Sequence, residues 1–301
     1  MRARARLLQR TRAFFAERDV LEVEVPVLQN GANLDRGIDP FAVDTPQGRR
    51  YLATSPEHFL KRLVAAGYGD VWSLAPAFRS DERGKRHNPE FRMLEWYRVG
   101  WDDRALQRET VELLAALCGV DTVTDVLSYR QALERHAGVD PFAASTQALA
   151  AGLSADECSA CAGERALMLD LLMARHVQPA LPQDRWTAIV DFPADQAAQA
   201  RLRQVADGNT VAARFEVYRG ELELANGYHE LDDRAELERR FADERAARAD
   251  TAPALDTRYL AAMRSGLGPC AGVAVGFDRV CMLASHCADI DAVFAFSWER
   301  A

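Results

Sequence analysis

The chain has 301 residues, of which 49% are hydrophobic and 27% charged, and its formal net charge at pH 7 is −8. This length can bury a sizeable core, as one large domain or two small ones, and no apolar run has the roughly eighteen residues of a membrane span. The acidic balance gives no support for a nucleic acid as the main partner, because nucleic-acid-binding domains usually carry a basic face. With six cysteines interpreted as reduced thiols, these features predict a cytoplasmic protein.

The N-terminal part is predicted to begin with a helix and to continue into a strand. Residues 1–15 are rich in arginine, which a transit peptide would also show. We prefer an amphipathic helix, which is indicated by the spacing of Leu7, Leu8, Arg12, Phe14 and Phe15. Residues 20–28 alternate as a strand does, with Pro26 near the end.

Two further helices have recognisable ends. Ser55 and Pro56 predict the N-cap and first-turn proline of a helix that stops at Gly67. A second helix is predicted over residues 103–118, with leucines on its inner face and Gly119 beyond it.

The rest of the chain mixes helices with paired strands. Residues 120–185 are rich in alanine and predict a mostly helical insertion. Residues 187–193 predict a strand, residues 211–218 and 221–225 a strand pair, and residues 232–249 a charged, solvated helix. Strands in hairpins with helices gathered elsewhere indicate an α+β fold, an antiparallel β-sheet flanked by helices, in a single domain.

The most informative segment is FRSDERGKRHNPEFRMLEWY, residues 78–97. It predicts a strand, a loop rich in arginine, lysine and histidine, and a returning strand. Guanidinium groups bind phosphate oxygens through paired, charge-assisted hydrogen bonds, so such a loop can surround a polyphosphate. Phe91, just past the loop, offers a ring on which a base can stack. The alternative is a solvated hairpin tip of mixed charge.

A second segment, GVAVGFDRV, occupies residues 272–280. Its small residues predict a strand, then a glycine turn, then a helix that opens with Asp278 and Arg279. Glycine lets the backbone approach a ligand closely. Alone, the pattern is most often a tightly packed strand, and it gains meaning only beside the charged hairpin.

A third segment, FEVYRGELELANGYHEL, occupies residues 215–231 and repeats a carboxylate every seven positions at Glu216, Glu223 and Glu230. Converging carboxylates can hold Mg²⁺, which takes oxygen ligands and shares them with substrate phosphates. They can also neutralise an ammonium group. The alternative is a set of surface carboxylates, since most glutamates lie at the surface.

These segments resemble the motifs of class II aminoacyl-tRNA synthetases, in the form found in the lysine branch. Residues 78–97 resemble motif 2, residues 272–286 motif 3, and residues 20–28 motif 1, whose proline lies at the dimer interface in that family. The resemblance covers essentially all of residues 1–301, as the catalytic domain alone. It implies the class II catalytic fold, ATP and Mg²⁺ as cofactors, and a homodimer formed through Pro26.

The resemblance implies an ATP site built from motifs 2 and 3. Arg79, the expected catalytic residue, would bind the α-phosphate and the amino-acid carboxylate, and Phe91 and Arg279 would sandwich the adenine. The family usually has glutamate where this chain has Asp81, so whether Asp81 or Glu82 meets the adenine amino group stays open. The residues expected to bind ATP are Arg79, Asp81, Glu82, His87, Asn88, Phe91, Glu223, Leu224, Gly276 and Arg279.

The resemblance also implies a pocket for a lysine-like substrate. Glu216 and Glu223 would hold the metal, and Glu230 would bind the side-chain amine. The residues expected to bind the amino acid are Ser55, Glu57, Glu95, Tyr97, Asn226, Glu230 and Ala274.

Two departures from lysyl-tRNA synthetases narrow the expected function. Motif 1 begins about twenty residues from the start of the sequence, which leaves no room for the anticodon-binding domain that precedes it in those enzymes. Ala274 stands where they have glycine, and one methyl in a pocket wall can change selectivity by roughly 1–3 kcal/mol. Both features match truncated paralogues that attach (R)-β-lysine to a lysine of elongation factor P. The resemblance thus implies an AMP-forming ligase with that acceptor protein, and neither tRNA nor a membrane as partner.

Two alternatives stay open. One is a stand-alone class II enzyme that activates lysine or forms another amide with a small amine, and the other is a non-catalytic paralogue that binds or regulates. The pocket expected from Glu57, Glu95 and Glu230 argues against an aspartate substrate. Retention of Arg79 and Arg279 argues against a loss of catalysis.

Overall fold

The computed structural model describes residues 1–33, 37–248 and 253–301. The helices are α1 (Arg2–Ala16), α2 (Glu57–Ala65), α3 (Asp103–Cys118), α4 (Tyr129–Ala137), α5 (Thr146–Ala150), α6 (Ala155–Ala160), α7 (Arg165–Leu172), α8 (Arg234–Arg248), α9 (Thr257–Arg264) and α10 (Phe277–Ala284). The strands are β1 (Leu21–Glu22), β2 (Leu28–Gln29), β3 (Ala42–Thr45), β4 (Gly48–Leu52), β5 (Val71–Phe78), β6 (Glu90–Val99), β7 (Thr124–Ser128), β8 (Trp186–Pro193), β9 (Leu202–Gln204), β10 (Thr210–Arg219), β11 (Leu222–His229) and β12 (Cys270–Gly276).

One large sheet organises the protein, in the order β1-β5-β6-β12-β11-β10-β8-β7, with β9 paired on β10. Its inner pairs are antiparallel, whereas β1 with β5 and β7 with β8 are parallel. Strands β2, β4 and β3 form a second, small antiparallel sheet. The predicted α+β fold, a mostly antiparallel sheet flanked by helices, is confirmed.

Helices α1, α3 and α10 cover one face of the large sheet and share its main core. Phe15 of α1 stacks on Trp72 of β5 with ring centroids 4.7 Å apart, which confirms the predicted amphipathic helix. Helix α3 has the predicted bounds, because Asp102 accepts a hydrogen bond from the amide of Ala105 and Gly119 adopts a left-handed conformation with φ of 70°.

Alternation along β6 separates this core from the opposite face of the sheet. Leu94 and Trp96 are fully buried in the core beneath the helices. Side chains of successive residues point to opposite faces of a strand, so Met93, Glu95 and Tyr97 lie on the other face, where they line a cavity. The two functions of this strand, packing and ligand contact, are thus divided between its two faces.

The structure corrects four local predictions. The predicted strand over residues 20–28 is replaced by two short strands, β1 (Leu21–Glu22) in the large sheet and β2 (Leu28–Gln29) in the small one. Helix α2 begins at Glu57 rather than at Pro56, although the Ser55 hydroxyl still accepts a hydrogen bond from the Glu57 amide at 3.3 Å. The region 120–185 is mostly helical as predicted, but it also contains an unpredicted strand, β7, which extends the large sheet beside β8. Strand β11 runs to His229 rather than to residue 225, since its pairing with β12 continues that far.

Other elements follow the predictions more closely. Helix α8 covers the predicted charged segment from Arg234 to Arg248, and residue 249 lies outside the described residues. A tight connection at Gly220, with φ of 56°, joins the predicted strand pair β10 and β11. None of the helices among the described residues is both long and apolar enough to cross a membrane.

Candidate active site

Two cavities adjoin each other on the ligand-facing side of the sheet. The first, about 290 Å³, lies between the β5–β6 loop, β11 and the start of α10. The second, about 90 Å³, lies deeper, between β6, β12, β11 and the start of α2. The residues that line both cavities are Ile38, Arg79, Met93, Asn226 and Ala274. A ligand with two chemically different ends can therefore occupy both cavities and pass Arg79 on the way.

The structure brings together most of the residues predicted to form the site. Those in the first cavity are Arg79, Glu82, His87, Asn88, Phe91, Glu223, Leu224, Asn226, Ala274, Gly276 and Arg279. Those in the second cavity are Ser55, Glu57, Arg79, Glu95, Tyr97, Asn226, Glu230 and Ala274. Glu216 and Asp81 line neither cavity.

Arg79 lies at the start of the loop that joins β5 and β6, and these two strands form the predicted hairpin. Its amide donates to the carbonyl of Pro89 at 2.9 Å, and its Nη1 donates to Glu82 at 2.9 Å. Its guanidinium carbon lies 5.2 Å from the centroid of Phe91. Its buried Nε has no hydrogen-bond partner among the described residues. Because buried donors are normally satisfied, this orientation suits an anionic ligand at the junction of the cavities.

Arg279 forms the opposite wall of the first cavity from the first turn of α10. Its Nη1 donates to the carbonyl of Glu223 at 2.9 Å, and its Nε donates to the carbonyl of Arg86 at 3.3 Å. Its Nη2 contacts the ring of His87. Burial, and then the charge of Arg279, lower the pKa of His87 below its usual value. The imidazole is thus held neutral, and Arg279 ties the charged loop to β11.

Only one of the two candidate carboxylates on the loop faces the first cavity. Glu82 lines it and binds Arg79, whereas Asp81 is exposed and lies outside it. The structure therefore favours Glu82 over Asp81 as the carboxylate nearer to a bound base.

The second cavity is lined by three buried carboxylates, Glu57, Glu95 and Glu230. Burial, reinforced by the charge of Glu57, raises the pKa of Glu95 to about 8. Burial likewise raises the pKa of Glu230 to about 7, against the charge of Lys61. The hydroxyl of Tyr97 donates to one oxygen of Glu95 at 2.8 Å, and the other oxygen has no hydrogen-bond partner among the described residues. This arrangement favours a cationic ligand, which would stabilise the ionised carboxylates.

Lys61 is a residue that the sequence analysis missed. Its ammonium lies 2.7 Å from Glu57 and 2.6 Å from Glu230, and it donates to Gln199 at 3.1 Å. The spacing of Glu57 and Lys61, one helical turn apart on α2, was the signal available in the sequence. The contact with Glu230 had no such signal, because the two residues are distant in the chain.

Two small residues of β12 shape the cavities. A Cβ atom on Gly272 would overlap the ring of Tyr97 and the carboxylate of Glu230, so only glycine lets both side chains meet there. Ala274 pairs in register with Asn226 of β11 and Glu95 of β6, and its methyl group lines both cavities. A larger or smaller side chain at position 274 would therefore change the shape of both cavities.

Glu216 lies on β10, the strand next to β11, whose residues line the first cavity. It pairs in register with Asn226, and its two oxygens accept hydrogen bonds from Arg214 and from the hydroxyl of Tyr218. Burial raises the pKa of Glu216 to about 7, against the charge of Arg214 and with the charge of Glu223. Among the described residues, no group of three or more histidine, cysteine or acidic side chains could hold a metal by itself.

The carboxylates nevertheless fit a magnesium ion that is shared with phosphates. In nucleotide sites Mg²⁺ is usually bound by one or two carboxylates, with the other ligands supplied by phosphates and water. Glu223 projects into the first cavity and meets that requirement. A cation beside Glu223 would also favour the ionised form of Glu216 behind it.

Comparison with known proteins finds relatives over nearly the whole chain. The family model described as tRNA synthetases class II (D, K and N) matches residues 1–300. A protein of Klebsiella pneumoniae (strain 342), named elongation factor P–(R)-beta-lysine ligase, is 41% identical over an alignment of 310 positions, which covers 99% of this chain and 94% of the relative. Proteins with the same name from Enterobacter sp. (strain 638) and Salmonella paratyphi B are each 40% identical, with the same coverage. The chain therefore belongs to the class II tRNA synthetase family of the D, K and N group.

Proposed function

We propose that this protein is an ATP-dependent, AMP-forming ligase that activates (R)-β-lysine and transfers it to a lysine of elongation factor P. The observation that carries the proposal is the pair of cavities joined at Arg79, one lined by arginines and the other by carboxylates. The relatives are named for (R)-β-lysine and elongation factor P, which supports this choice of substrate and acceptor.

The charge balance of the second cavity supports a diamino acid. Apart from Arg79, which would meet the substrate carboxylate, three carboxylates and one buried ammonium, Lys61, leave two negative charges when all groups are ionised. (R)-β-lysine carries two ammonium groups, which would neutralise them, and a carboxylate that would extend toward Arg79. A substrate such as aspartate would instead add negative charge to a cavity that already has an excess. This balance favours a lysine-like substrate over the amide-forming alternative.

The first step is adenylate formation at Arg79. The substrate carboxylate attacks the α-phosphorus of ATP, a phosphorus–oxygen bond forms, and pyrophosphate leaves. Arg79 stabilises the negative charge that develops on the phosphorus and orients the carboxylate, so catalysis is mainly positioning and electrostatics. Its unpartnered Nε supplies a donor for this purpose.

The first cavity binds the nucleotide. Phe91 and Arg279 enclose the adenine, Glu82 accepts from its amino group, and His87 and Asn88 lie beside the phosphates. Glu223, with Glu216 behind it, would hold Mg²⁺, which would neutralise charge on the phosphates. The neutral state of His87 leaves an imidazole that can donate one hydrogen bond without adding a second full charge beside Arg279.

The second step transfers the acyl group. The neutral ε-amine of the acceptor lysine attacks the acyl carbon, an amide bond forms, the amine loses a proton and AMP leaves. Asn226, which donates to the hydroxyl of Tyr228 at 3.2 Å and accepts from Arg214 at 3.1 Å, is held at the junction of the cavities. It orients the substrate for both steps, and Ser55 lies near the backbone amine.

We also propose a homodimer formed through the region of Pro26, with no tRNA partner. Leu21 and Leu28 flank this region with 47% and 44% of their surfaces exposed in the single chain. Burial of such apolar side chains against a second copy would stabilise the dimer. Sedimentation should give twice the chain mass, and a monomer would reject this interface without affecting the chemistry.

The test of the function is an exchange and transfer experiment. Enzyme, ATP and Mg²⁺ are assayed for ATP–pyrophosphate exchange with (R)-β-lysine, α-lysine and aspartate. Labelled (R)-β-lysine is then offered with elongation factor P or with lysine tRNA. We expect exchange to be fastest with (R)-β-lysine and the label to appear on the protein. Label on the tRNA alone would show that the protein is a tRNA synthetase instead. Absence of exchange with every amino acid would favour a non-catalytic paralogue.

A further inference from the structure

Lys61 is the only lysine on α2, and only 1% of its surface is exposed. Isolated charges are very costly to bury, so a buried ammonium needs compensating partners. Lys61 has three: Glu57 at 2.7 Å, Glu230 at 2.6 Å and Gln199 at 3.1 Å. The contacts with Glu57 and Gln199 are hydrogen bonds, and the contact with Glu230 is an ion pair.

Lys61 acts on the cavity through its partners. It is not among the residues that line the second cavity, whereas both of its carboxylate partners are. Gln199 accepts a hydrogen bond from Lys61 and another, at 2.6 Å, from the hydroxyl of Tyr259. Gln199, held by Tyr259, thus contacts Lys61 on one side, and Lys61 contacts Glu57 and Glu230, the two carboxylates that line the second cavity.

The charged and titratable groups around Lys61 come from five parts of the fold, with Glu230 lying just after β11. They are Glu57 and His58 of α2, Glu95 and Tyr97 of β6, Glu230 after β11, Cys270 of β12, and Tyr259 of α9. Lys61 is the cation in closest contact with the carboxylates among them, while His58 lies on the far side against Asp256 and Tyr259. Carboxylates and a single ammonium therefore dominate the electrostatics of this pocket.

We propose that Lys61 is a positioning and specificity-determining residue, which favours the ionised forms of Glu57 and Glu230 and thereby fits the second cavity to a substrate with two ammonium groups. The proposal deepens the proposed function and rests on it for the identity of the substrate. Without Lys61, two adjacent buried carboxylates would have no shared cation, and one or both would take up a proton at neutral pH. The cavity would then lose the charge that selects a diamine.

The pKa directions agree with this geometry. Burial opposes the charged form of Lys61, but the charges of Glu230 and Glu57 outweigh it, so the pKa of Lys61 lies well above its usual value. Burial also opposes ionisation of Glu57, and the charges of Lys61 and His58 bring its pKa below the usual value.

The experiment replaces Lys61 by methionine, which keeps the length and removes the charge. ATP–pyrophosphate exchange with (R)-β-lysine is measured from pH 6.5 to 9. At pH 7 we expect Lys61→Met to raise the KM for (R)-β-lysine about 10- to 100-fold, with kcat changed much less, because the loss of the ammonium favours the protonated forms of the two carboxylates that would bind the substrate. The KM should fall toward the wild-type value as the pH rises and the carboxylates ionise.

Two companion variants separate charge from packing. Lys61→Arg keeps the charge and should restore part of the lost affinity at pH 7. Arg62→Met removes the neighbouring cation on the same helix, whose guanidinium lies over Phe59 and away from the cavity, and should leave the KM unchanged. An increase in KM by the same factor at every pH, or no increase, would overturn the role of Lys61.

Specificity gives a second readout. With 6-aminohexanoate, which has one ammonium group, Lys61→Met should lose less affinity than with (R)-β-lysine, so discrimination between the two substrates should decrease. Equal losses of affinity for both substrates would contradict a role of Lys61 in selecting substrates by their number of ammonium groups.

A third readout needs no substrate and separates this proposal from the proposed function. In Lys61→Met the folded-state pKa values of Glu57 and Glu230 should rise, so its Tm should fall further below the wild-type Tm as the pH increases from 5 to 8. A Tm difference independent of pH would reject charge compensation by Lys61. If the wild-type enzyme activates no amino acid while this pH-dependent difference is present, the proposed function fails and the charge-holding role of Lys61 stands.

Discussion

The two cavities meet at Arg79 yet differ in charge and in burial. The first is formed largely by a loop and a helix start, and its cationic residues, Arg86 and Arg279, are partly exposed. The second is formed by strands and the start of α2, and its carboxylates, such as Glu95 and Glu230, are almost completely buried. Charges interact more strongly where water is excluded. On our proposal, the buried cavity would select the amino acid, while the open cavity would hold a large anion through many moderate contacts.

The largest expected effect concerns the residue that the cavities share. Arg79→Ala removes the cation at the reacting phosphorus, and we expect kcat for exchange to fall by about 10²–10³-fold, the loss typical of a single stabilising donor. Arg79→Lys should recover little, because an ammonium cannot reproduce the planar, two-pronged contact of a guanidinium. Circular dichroism would establish that both variants fold. Exchange within a factor of a few of wild type would remove Arg79 from the chemistry.

The next prediction compares the effect of one substitution in each cavity. Glu230→Gln leaves the substrate ammonium with one fewer carboxylate in a buried site, so the KM for the amino acid should rise about 100-fold, while the KM for ATP stays near wild type. Glu223→Gln should do the reverse and raise the KM for ATP and the Mg²⁺ requirement. Identical kinetic defects in the two variants would mean that the cavities are not functionally separate.

A third prediction uses the pH dependence of stability. The folded-state pKa of Glu95 is raised to about 8, so the folded protein retains a proton that the unfolded chain releases near pH 4.5. The stability contributed by this proton is present below pH 4.5 and is lost as the pH rises to 8. Glu95→Gln should therefore flatten the decrease in the free energy of unfolding over this interval, by a few kcal/mol at most. Chemical denaturation at several pH values is the measurement, and parallel curves for the two proteins would contradict the raised pKa.

The smallest expected effect concerns the wall between the cavities. Ala274→Gly removes one methyl group that contacts both cavities, so we expect the preference for (R)-β-lysine over α-lysine to decrease about tenfold or more. The ratio of kcat/KM values in pyrophosphate exchange measures it. An unchanged ratio would assign the selectivity to other residues of the second cavity.

Much of the first cavity was predictable because its residues are close in sequence. The hairpin of β5 and β6 carries Arg79, Glu82 and Phe91 between positions 79 and 91, and local pairing fixes their separation. The open choice between Asp81 and Glu82 was not predictable, since the direction of a side chain in a turn depends on the backbone of that turn.

The second cavity was predictable only through its resemblance to a family. Its residues come from α2, β6, β11 and β12, and the sequence by itself contains no contact between Lys61 and Glu230. The strand β7 was missed for a related reason. A short edge strand of half-exposed residues has little periodic signal, and its pairing with β8 provides the hydrogen bonds that define it.

The sequence by itself determined the helices with clear caps, the hairpin strands, the α+β class and the chemical character of the site. These features depend on local rules, such as side-chain periodicity, capping and the residue types that bind phosphate or ammonium groups. Only the tertiary structure decided which charges share a buried volume, that Glu216 lies behind Glu223, and that Lys61 compensates the carboxylates of the second cavity. The physical reason is that a buried charge depends on its neighbours in space, and these are brought together by strand order and register across the sheet.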